Sequence, residues 1–387
     1  MHVAFSLLTL DPGRVGGSET YARGLLKAFA GGVGPERVTV LAGPRAAKTL
    51  QHLAGGSVTV REVAGLPFGG GRARRLALLV GGMARAPAPA RSAVEAADVL
   101  HLPLTVPIPR TTGGSVLTLF DVLHHDVPEL FPKAERVFRR AAYDGAARRV
   151  TRVVTVSEHS RRRITGVLGM DAARIVAIHP GLDHVRFAPG PAAGDAALLA
   201  ALALPDPPWL LYPAALWPHK NHGALLDALG RSPAQLSLVL TGTTFGRVQT
   251  LRATAARAGV EDRVHHLGFV PASAMPALYR AATAVVFPSL AEGFGQPPLE
   301  AMACGCPVAA SDAGAVAEAC GGAALQFPAR DAGAIAAAIA RVALDGPLRT
   351  ELRAAGLEWA RGFTWRRSAE RHAEVYEDAL VSSPSRP

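Results

Sequence analysis

Three stretches combine residue types suited to chemistry on an anionic, hydroxyl-rich ligand. The first is Phe287-Pro288-Ser289-Leu290-Ala291-Glu292-Gly293-Phe294-Gly295-Gln296-Pro297-Pro298-Leu299-Glu300-Ala301. Proline is tolerated in a first helical turn, so Pro298 predicts a helix start that puts Glu300 in the first turn and leaves Glu292 in the glycine-rich loop before it. Carboxylates accept hydrogen bonds from vicinal hydroxyls, the polar code of sugars and ribose, and the loop N–H groups of Gly293, Phe294 and Gly295 suit a diphosphate between them. The second stretch is Trp217-Pro218-His219-Lys220-Asn221-His222. A lysine at a helix start opposes the helix dipole, which a bound anion explains, with a plain surface lysine as the bland alternative. The third is Gly13-Arg14-Val15-Gly16-Gly17-Ser18-Glu19, after the first apolar run. Gly16 and Gly17 let backbone approach a ligand closely, and the helix that follows offers free N–H groups to a phosphate, although the spacing is not the dinucleotide G-x-G-x-x-G. Glu19 beside that turn suits hydroxyls better than phosphate.

These residues need elements to hold them, and the rhythm of the chain supplies βα alternation: a short β-branched or Leu-rich run, a Gly/Pro/Ser/Asp break, then an Ala/Leu/Arg-rich stretch. In the first half the pattern predicts strands at His2 to Leu8, Val38 to Leu41, Val58 to Val60, Val99 to Leu102, Ser115 to Leu119, Val153 to Val156 and Ile175 to Ile178. The second half predicts them at Trp209 to Tyr212, Leu236 to Thr241, Val264 to Leu267, Ala284 to Phe287, Pro307 to Ala310 and Ala324 to Leu325. Helices are expected near Ser18 to Ala30, Arg72 to Ala84, Ala134 to Arg149, His159 to Val167, Gly223 to Leu229, Val248 to Ala258, Pro276 to Ala281, Pro298 to Ala303 and Asp331 to Leu344. Repeated βα units imply mostly parallel sheets covered on both faces. The proline- and glycine-rich stretch from Phe187 to Pro208 reads as a connection between domains with one short helix. The expected fold class is α/β with two doubly wound, Rossmann-like domains facing across a cleft, ligands lying beyond the carboxyl ends of the strands.

Composition narrows the class. The chain has 387 residues, 49% hydrophobic and 19% charged, enough to bury large cores and too apolar for disorder. The longest apolar runs, Met1 to Leu10 and Leu76 to Met83, fall short of the ~20 residues that cross a bilayer. Asp11-Pro12-Gly13 ends the first run early and no cationic stretch precedes it, which suits a strand better than a signal peptide and leads us to expect a cytoplasmic protein. Cys304, Cys306 and Cys320 lack paired metal spacing and read as small reduced core residues; no metal-ligand cluster is visible. Charge is uneven: residues 1–190 carry +11 and residues 191–387 carry −1. Arginines cluster at Arg72, Arg74 and Arg75, at Arg136, Arg139, Arg140, Arg148, Arg149 and Arg152, and at Arg161, Arg162 and Arg163. A solvated surface and an anionic partner, whether an acidic small molecule, an anionic membrane surface or nucleic acid, both fit.

The stretch EGFGQPPLEAMACGCPVAASDAG, with LGFVPASAMPALYRAATAVVFPSL before it, strongly resembles the retaining nucleotide-sugar glycosyltransferases of family 4, which have the glycosyltransferase-B fold. GGSETYARGLL, FDVLHHDVPEL, VVTVSEHSRRRI, HPGLD and WPHKN fall in the family's order, so the resemblance covers nearly the whole chain. It implies domains at 1–186 (acceptor-binding), 209–362 (nucleotide-sugar-binding) and 363–387, a final helix crossing back to the first, with a linker at 187–208. It further implies that Glu300 holds the donor's ribose hydroxyls and that Glu292, with the amides of Gly293 and Phe294, holds sugar hydroxyls. Lys220 with the Gly16 and Gly17 backbone would bind the diphosphate, and Glu19, Asp121, His124 and His125 would lie on the acceptor side. Two positions depart from the family pattern. Phe120 stands where a histidine usually contacts the sugar 6-hydroxyl, so His124 or His125 substitutes or the donor lacks that hydroxyl. His219 stands where an arginine usually precedes the lysine, removing a bidentate phosphate donor.

The expected activity is therefore metal-independent transfer of a hexosyl or deoxyhexosyl group, with retention, from a nucleotide diphosphate sugar to a hydroxyl of a carbohydrate, lipid-linked or small-molecule acceptor. No cofactor beyond that co-substrate and no nucleic acid partner are expected; the protein would be cytoplasmic, with a peripheral place at the inner membrane face left open. Lys220 and Glu292 are the residues expected to carry catalysis. The competing reading is a basic nucleic-acid-binding or membrane-surface protein with a vestigial nucleotide-sugar site, which 6% aromatic content does not favour. A nicotinamide dehydrogenase needs a glycine turn this chain lacks, and a glycan phosphorylase needs a cofactor lysine arrangement that is not recognisable here.

Overall fold

The β-branched and leucine-rich runs form parallel strands whose faces are both covered, as their unbroken hydrophobicity requires: every residue of His2–Leu7, Val99–Leu102 and Ala284–Phe287 is buried. The computed structural model describes residues 1–13, 16–64, 87–109, 111 and 113–382. Arg14 and Val15 of the glycine turn, the Arg72, Arg74 and Arg75 cluster, the helix expected at Arg72 to Ala84 and the apolar run Leu76 to Met83 lie outside them.

Thirteen strands occur among the described residues: β1 His2–Leu7, β2 Arg37–Ala42, β3 Val58–Glu62, β4 Val99–Leu102, β5 Gly114–Thr118, β6 Arg152–Thr155, β7 Ile175–Ala177, β8 Trp209–Pro213, β9 Ser237–Thr241, β10 Val264–His266, β11 Ala284–Phe287, β12 Val308–Ser311 and β13 Leu325–Phe327. They build a seven-stranded sheet, β3-β2-β1-β4-β5-β6-β7, and a six-stranded sheet, β10-β9-β8-β11-β12-β13. Both are doubly wound: strand order runs outward from the first strand, then reverses and runs outward on its other side. The reversal falls between β1 and β4 in one sheet and between β8 and β11 in the other, and in open parallel sheets that crevice is where ligands bind.

The chain divides into two units, Met1–Gly181 with Phe363–Pro387, and Leu182–Gly362. The first closes on itself through its terminal helix, Trp365–Val381, whose N-terminus is capped by the Thr364 hydroxyl accepting from the Arg367 N–H. The Trp365 ring lies over Gly24 so closely that a Cβ there would sit 2.1 Å from the indole. Beneath it runs a buried polar chain. Tyr21 Oη meets His372 Nε2 at 2.6 Å and Thr118 Oγ1 at 3.1 Å, while His101 bridges Thr118 Oγ1 at 2.9 Å and Tyr376 Oη at 2.7 Å.

Segment 187–208, expected as a linker, belongs to the second unit. The reason is ionic: the Arg280 guanidinium grips Asp195 with Nε at 2.8 Å and Nη2 at 2.6 Å, and reaches the Ala188 carbonyl at 3.1 Å. The one short helix expected there is Asp195–Ala200. Two helices also differ from the sequence pattern. The stretch expected as continuous from Ala134 to Arg149 is interrupted by a π-helical turn, Arg140–Asp144. The helix expected to start at Pro298 starts at Gln296, because Gly295 at φ 135° and ψ 49° breaks the chain just before it. Glu300 is therefore in the second turn. The three cysteines are buried and unpaired, and burial pushes the Cys304 and Cys320 thiols up to about 12. None of the described helices is long and apolar enough to cross a membrane.

Candidate functional site

The loops that leave β8 and β11, the two strands flanking the reversal of the second sheet, carry the residues singled out above, and they are knotted together. The His219 carbonyl accepts from the Leu290 N–H at 2.8 Å. The Lys220 ammonium donates to Glu292 Oε1 at 2.5 Å and stands 5.6 Å above the centre of the Phe287 ring. The side chains of this ion pair are only 17% and 14% exposed, so separating it without a replacement partner costs more than separating a surface pair, and a bound anion would have to compete for it. The buried Tyr212 hydroxyl donates to the Lys220 carbonyl at 2.6 Å and meets Ser289 Oγ at 3.2 Å, while Ser311 Oγ donates to the Ser289 carbonyl at 2.7 Å. The residues expected to hold diphosphate and sugar thus meet, but they are engaged with one another. Sequence spacing gave no sign of that.

Glu300 is held differently. Its Oε2 accepts from the Tyr279 hydroxyl at 2.9 Å. Burial pushes its carboxyl up to about 7, against the lowering effects of that hydrogen bond and of the Arg186 charge. It is a carboxylate poised near neutrality, half-buried, whose two oxygens have lone pairs beyond the one that Tyr279 uses. Between the two glutamates, Phe294 and Gly295 are buried and Gly293 is half-buried. At Gly295 a Cβ would meet Ala319 Cβ at 3.1 Å in a backbone conformation that side chains avoid, so packing alone accounts for glycine there. Tyr279 was missed in the sequence because a tyrosine in an apolar helical run reads as core.

In the first unit, the glycine turn ends at Gly16, φ 65° and ψ −132°, which precedes the helix Gly17–Ala30. Gly16 and Gly17 are exposed. A Cβ at Gly17 would meet nothing within 4 Å, and its backbone is one any residue adopts, so neither space inside the protein nor φ calls for glycine. Glu19 does not stand free for hydroxyls. Its Oε2 accepts from the Gly13 N–H at 2.8 Å and its Oε1 from Arg23 Nε at 2.9 Å, closing the turn.

After β5, Phe120 packs edge-on against Tyr21, ring centres 5.2 Å apart, and Asp121 Oδ1 accepts from the Leu123 N–H at 3.0 Å. His124 and His125, expected as substitutes on a sugar hydroxyl, both turn to Asp144: Nε2 of His124 lies 3.0 Å from Oδ1 and Nε2 of His125 2.8 Å from Oδ2. His124 is fully buried, which removes it as a substitute. Burial raises the Asp144 carboxyl, but the two imidazole hydrogen bonds outweigh that and hold it below its usual range. The π-helical turn delivers Asp144, and the sequence reading, which saw no metal-ligand cluster, missed the juxtaposition. The three ligand atoms lie within 4.8 Å of one another and are a possible cation donor set. A metal-bound imidazole ordinarily donates its other N–H to an acceptor, however, and His124 Nδ1 is buried without one.

The arginine clusters are partly spent on the fold. Arg139 pairs with Glu135 and lies over Phe131, Arg152 grips Asp378 of the terminal helix, Arg161 pairs with Glu158 and Arg163 with Asp126.

A model described as Glycosyltransferase Family 4 matches residues 15–186, and one described as Glycosyl transferases group 1 matches residues 199–359. The O-antigen chain mannosyltransferase B of Escherichia coli is 30% identical over 276 residues, covering 70% of this chain and 72% of that protein. The D-inositol 3-phosphate glycosyltransferase of Nocardia farcinica is 33% identical over 242 residues, 59% of this chain, which spans 53% of its length. Among solved structures, Anabaena HepE in complex with UDP and glucose superposes with a TM-score of 0.74 at 22% identity, covering 98% of this chain and 100% of that one. Sucrose-phosphate synthase of Thermosynechococcus elongatus gives 0.75 at 21%, covering 99% and 100%. The latter two are likenesses of fold. With both halves matched in order, and with one mannosyltransferase aligned over more than two thirds of its length, the chain belongs to the family 4 glycosyltransferases of the glycosyltransferase-B fold.

Proposed function

We propose that the protein moves a hexosyl or deoxyhexosyl group from a nucleotide diphosphate sugar to an acceptor hydroxyl, with retention and without a metal ion. The observation that carries this reading is the Lys220–Glu292 pair between the β8 and β11 loops at the reversal of the second sheet, with Glu300 in the helix that the β11 loop leads into. Glu300, poised near neutrality beside Tyr279, takes the ribose hydroxyls. The Lys220–Glu292 pair acts as an exchange: the donor's diphosphate replaces Glu292 as partner of the ammonium, and the released carboxylate accepts from the sugar hydroxyls. Neither charged group is left without polar partners at any stage: the ammonium keeps an anion and the carboxylate gains hydroxyl donors, which limits the cost of a partly buried ion. As the glycosidic bond breaks, negative charge grows on the leaving phosphate and Lys220 stabilises it more strongly than in the ground state. Such a lysine, with loop N–H groups, supplies compensation that other transferases take from a cation.

The relatives named above act on an O-antigen chain and on D-inositol 3-phosphate, and the +11 charge of residues 1–190 suits an anionic acceptor or a glycan on an anionic membrane surface. The test is a thermal-shift panel of uridine, guanosine, thymidine and adenosine diphosphates and their sugars. A ligand at 100 times its Kd stabilises by ~2.7 kcal/mol, so one base should stand out and Lys220→Ala should shrink its shift by weakening, not eliminating, the binding. No shift with any of them, or an activity lost in chelator and restored only by magnesium or manganese, contradicts the proposal.

A further inference from the structure

We infer that Asn221 is a positioning residue for the donor site, an amide clamp that sets where Lys220 stands. The inference rests on the reading of Lys220 given above. Asn221 follows the turn Pro218–Lys220 and adopts a left-handed backbone, φ 60° and ψ 34°. Asparagine tolerates this region better than most non-glycine residues, and the conformation lets the chain close the turn and enter the helix His222–Gly230 without a spacer. The closure is visible in the backbone: the Asn221 N–H donates to the Pro218 carbonyl at 3.1 Å, and its carbonyl accepts from the Leu225 N–H at 3.3 Å.

Glycine would satisfy that backbone equally well, so the side chain must be explained separately. Its two amide hydrogens are both used. Nδ2 donates to the Pro288 carbonyl at 3.1 Å and to the Ala329 carbonyl at 2.7 Å. Pro288 opens the loop after β11 that carries Glu292, and Ala329 lies in the loop after β13. One side chain on the β8 loop therefore ties down the loops of two other strands, one of them at the far edge of the sheet. The residue immediately before it is Lys220. Tyr212, bonded to the Lys220 carbonyl, and His219, bonded through its carbonyl to Leu290, fix the same turn from the other side.

The consequence concerns the exchange of partners at Lys220. When a diphosphate displaces Glu292, the bond between the β8 and β11 loops made by the ion pair is lost. The Asn221–Pro288 bond remains and keeps the two loops in register, so the ammonium stays where the leaving phosphate needs it. Asp or Ala at this position cannot make it: an aspartate would turn an acceptor toward two carbonyl oxygens.

The test uses Asn221→Gly, which keeps the left-handed backbone and deletes only the amide, with Asn221→Asp as the second variant. Measured are the melting temperature, the Kd of the nucleoside diphosphate selected by the panel above, kcat and donor KM, all repeated in a Lys220→Ala background. We expect Asn221→Gly to remain folded and to weaken nucleoside diphosphate binding by about 5- to 30-fold, with Asn221→Asp weaker still. In the Lys220→Ala background the same substitution should change that Kd by less than about twofold, because a residue acting through Lys220 has nothing left to position. A merely structural role gives the opposite pattern, a fall in melting temperature with full additivity. Wild-type affinity and kcat in Asn221→Gly, or additive losses in the double variant, overturn the inference while leaving Lys220's role intact. Failure of the wild type to bind any nucleoside diphosphate overturns both.

Discussion

The two sheets share one strand order over their first six strands, yet the polar groups near their reversal points are held differently. In the second unit a charged pair between loops and a helical carboxyl poised near neutrality both belong to half-buried residues. In the first unit the polar residues near the corresponding edge are consumed internally: Glu19 closes its own turn, His124 and His125 share Asp144, and Tyr21, His101, His372 and Tyr376 form a fully buried chain under the terminal helix. Among the described residues of the β1 loop, Gly13, Gly16 and Gly17 are exposed. Topology supplies a place for a ligand twice, and only side chains decide what kind of place it is.

The comparison breaks most sharply at Lys220. Lys220→Ala should lower kcat/KM by about 100- to 1,000-fold, the usual cost of removing a group that stabilises developing charge. Lys133→Ala, an exposed lysine of the first unit, should change it little; equal losses from the two substitutions in steady-state kinetics would erase the contrast drawn here.

Next in size is Glu300. Glu300→Gln should cost about 10- to 150-fold in kcat/KM, and Glu292→Ala a similar amount, by loss of charge-assisted bonds to donor hydroxyls. The carboxyl also carries a pH signature. Burial raises its folded value to about 7, above the ordinary 4.5 of a free glutamate, so the folded state binds more protons than the unfolded state between these limits. Stability from this group is present below pH 4.5 and is lost as pH rises through 7, a change of about 1–3 kcal/mol. Donor binding should run the other way, tightening as Glu300 ionises. Comparing wild type with Glu300→Gln isolates it from His222, which burial holds down to about 4; parallel pH profiles for the two proteins would remove the assignment.

Phe120 sharpens the contrast on the side of the first unit. An apolar ring would desolvate a sugar 6-hydroxyl without pairing it, so if Phe120 meets the donor sugar, a 6-deoxyhexose or pentose donor is expected and Phe120→His should shift the efficiency ratio toward full hexoses by about fivefold or more. If the wild type already prefers a full hexose and the ratio stays fixed, Phe120 is only packing for Tyr21.

The smallest effect on function should come from the terminal helix. Gly24→Ala forces a methyl into the Trp365 ring and should cost about 1–3 kcal/mol of stability by overpacking, read as a lower melting temperature. If Lys220 in the second unit dominates diphosphate binding, the Kd for nucleoside diphosphate should not move. A parallel loss of diphosphate affinity would show that the two units do not divide the work as described.

Much of this was legible in the residues themselves. The strand positions followed from runs whose hydrophobicity is unbroken because both faces are covered, and Lys220 and Glu292 stood out because charged residues in glycine- and proline-rich loops at strand ends have no role in a core, Glu300 because it follows a proline-marked helix start. These are local facts, set by period, turn chemistry and side-chain type. The sequence did not disclose that Lys220 pairs with Glu292 across 72 positions, that Tyr279 reaches Glu300 across 21, or that Asp144 gathers His124 and His125. Nor did it disclose that Arg280 draws segment 187–208 into the second unit. Each of these depends on strand order and on how far a loop or a π-helical turn displaces one side chain, quantities that no window of sequence contains. Composition determined which groups were available, and tertiary structure decided which of them were left for a ligand, because a buried polar group takes the nearest partner the fold brings within 3 Å or so.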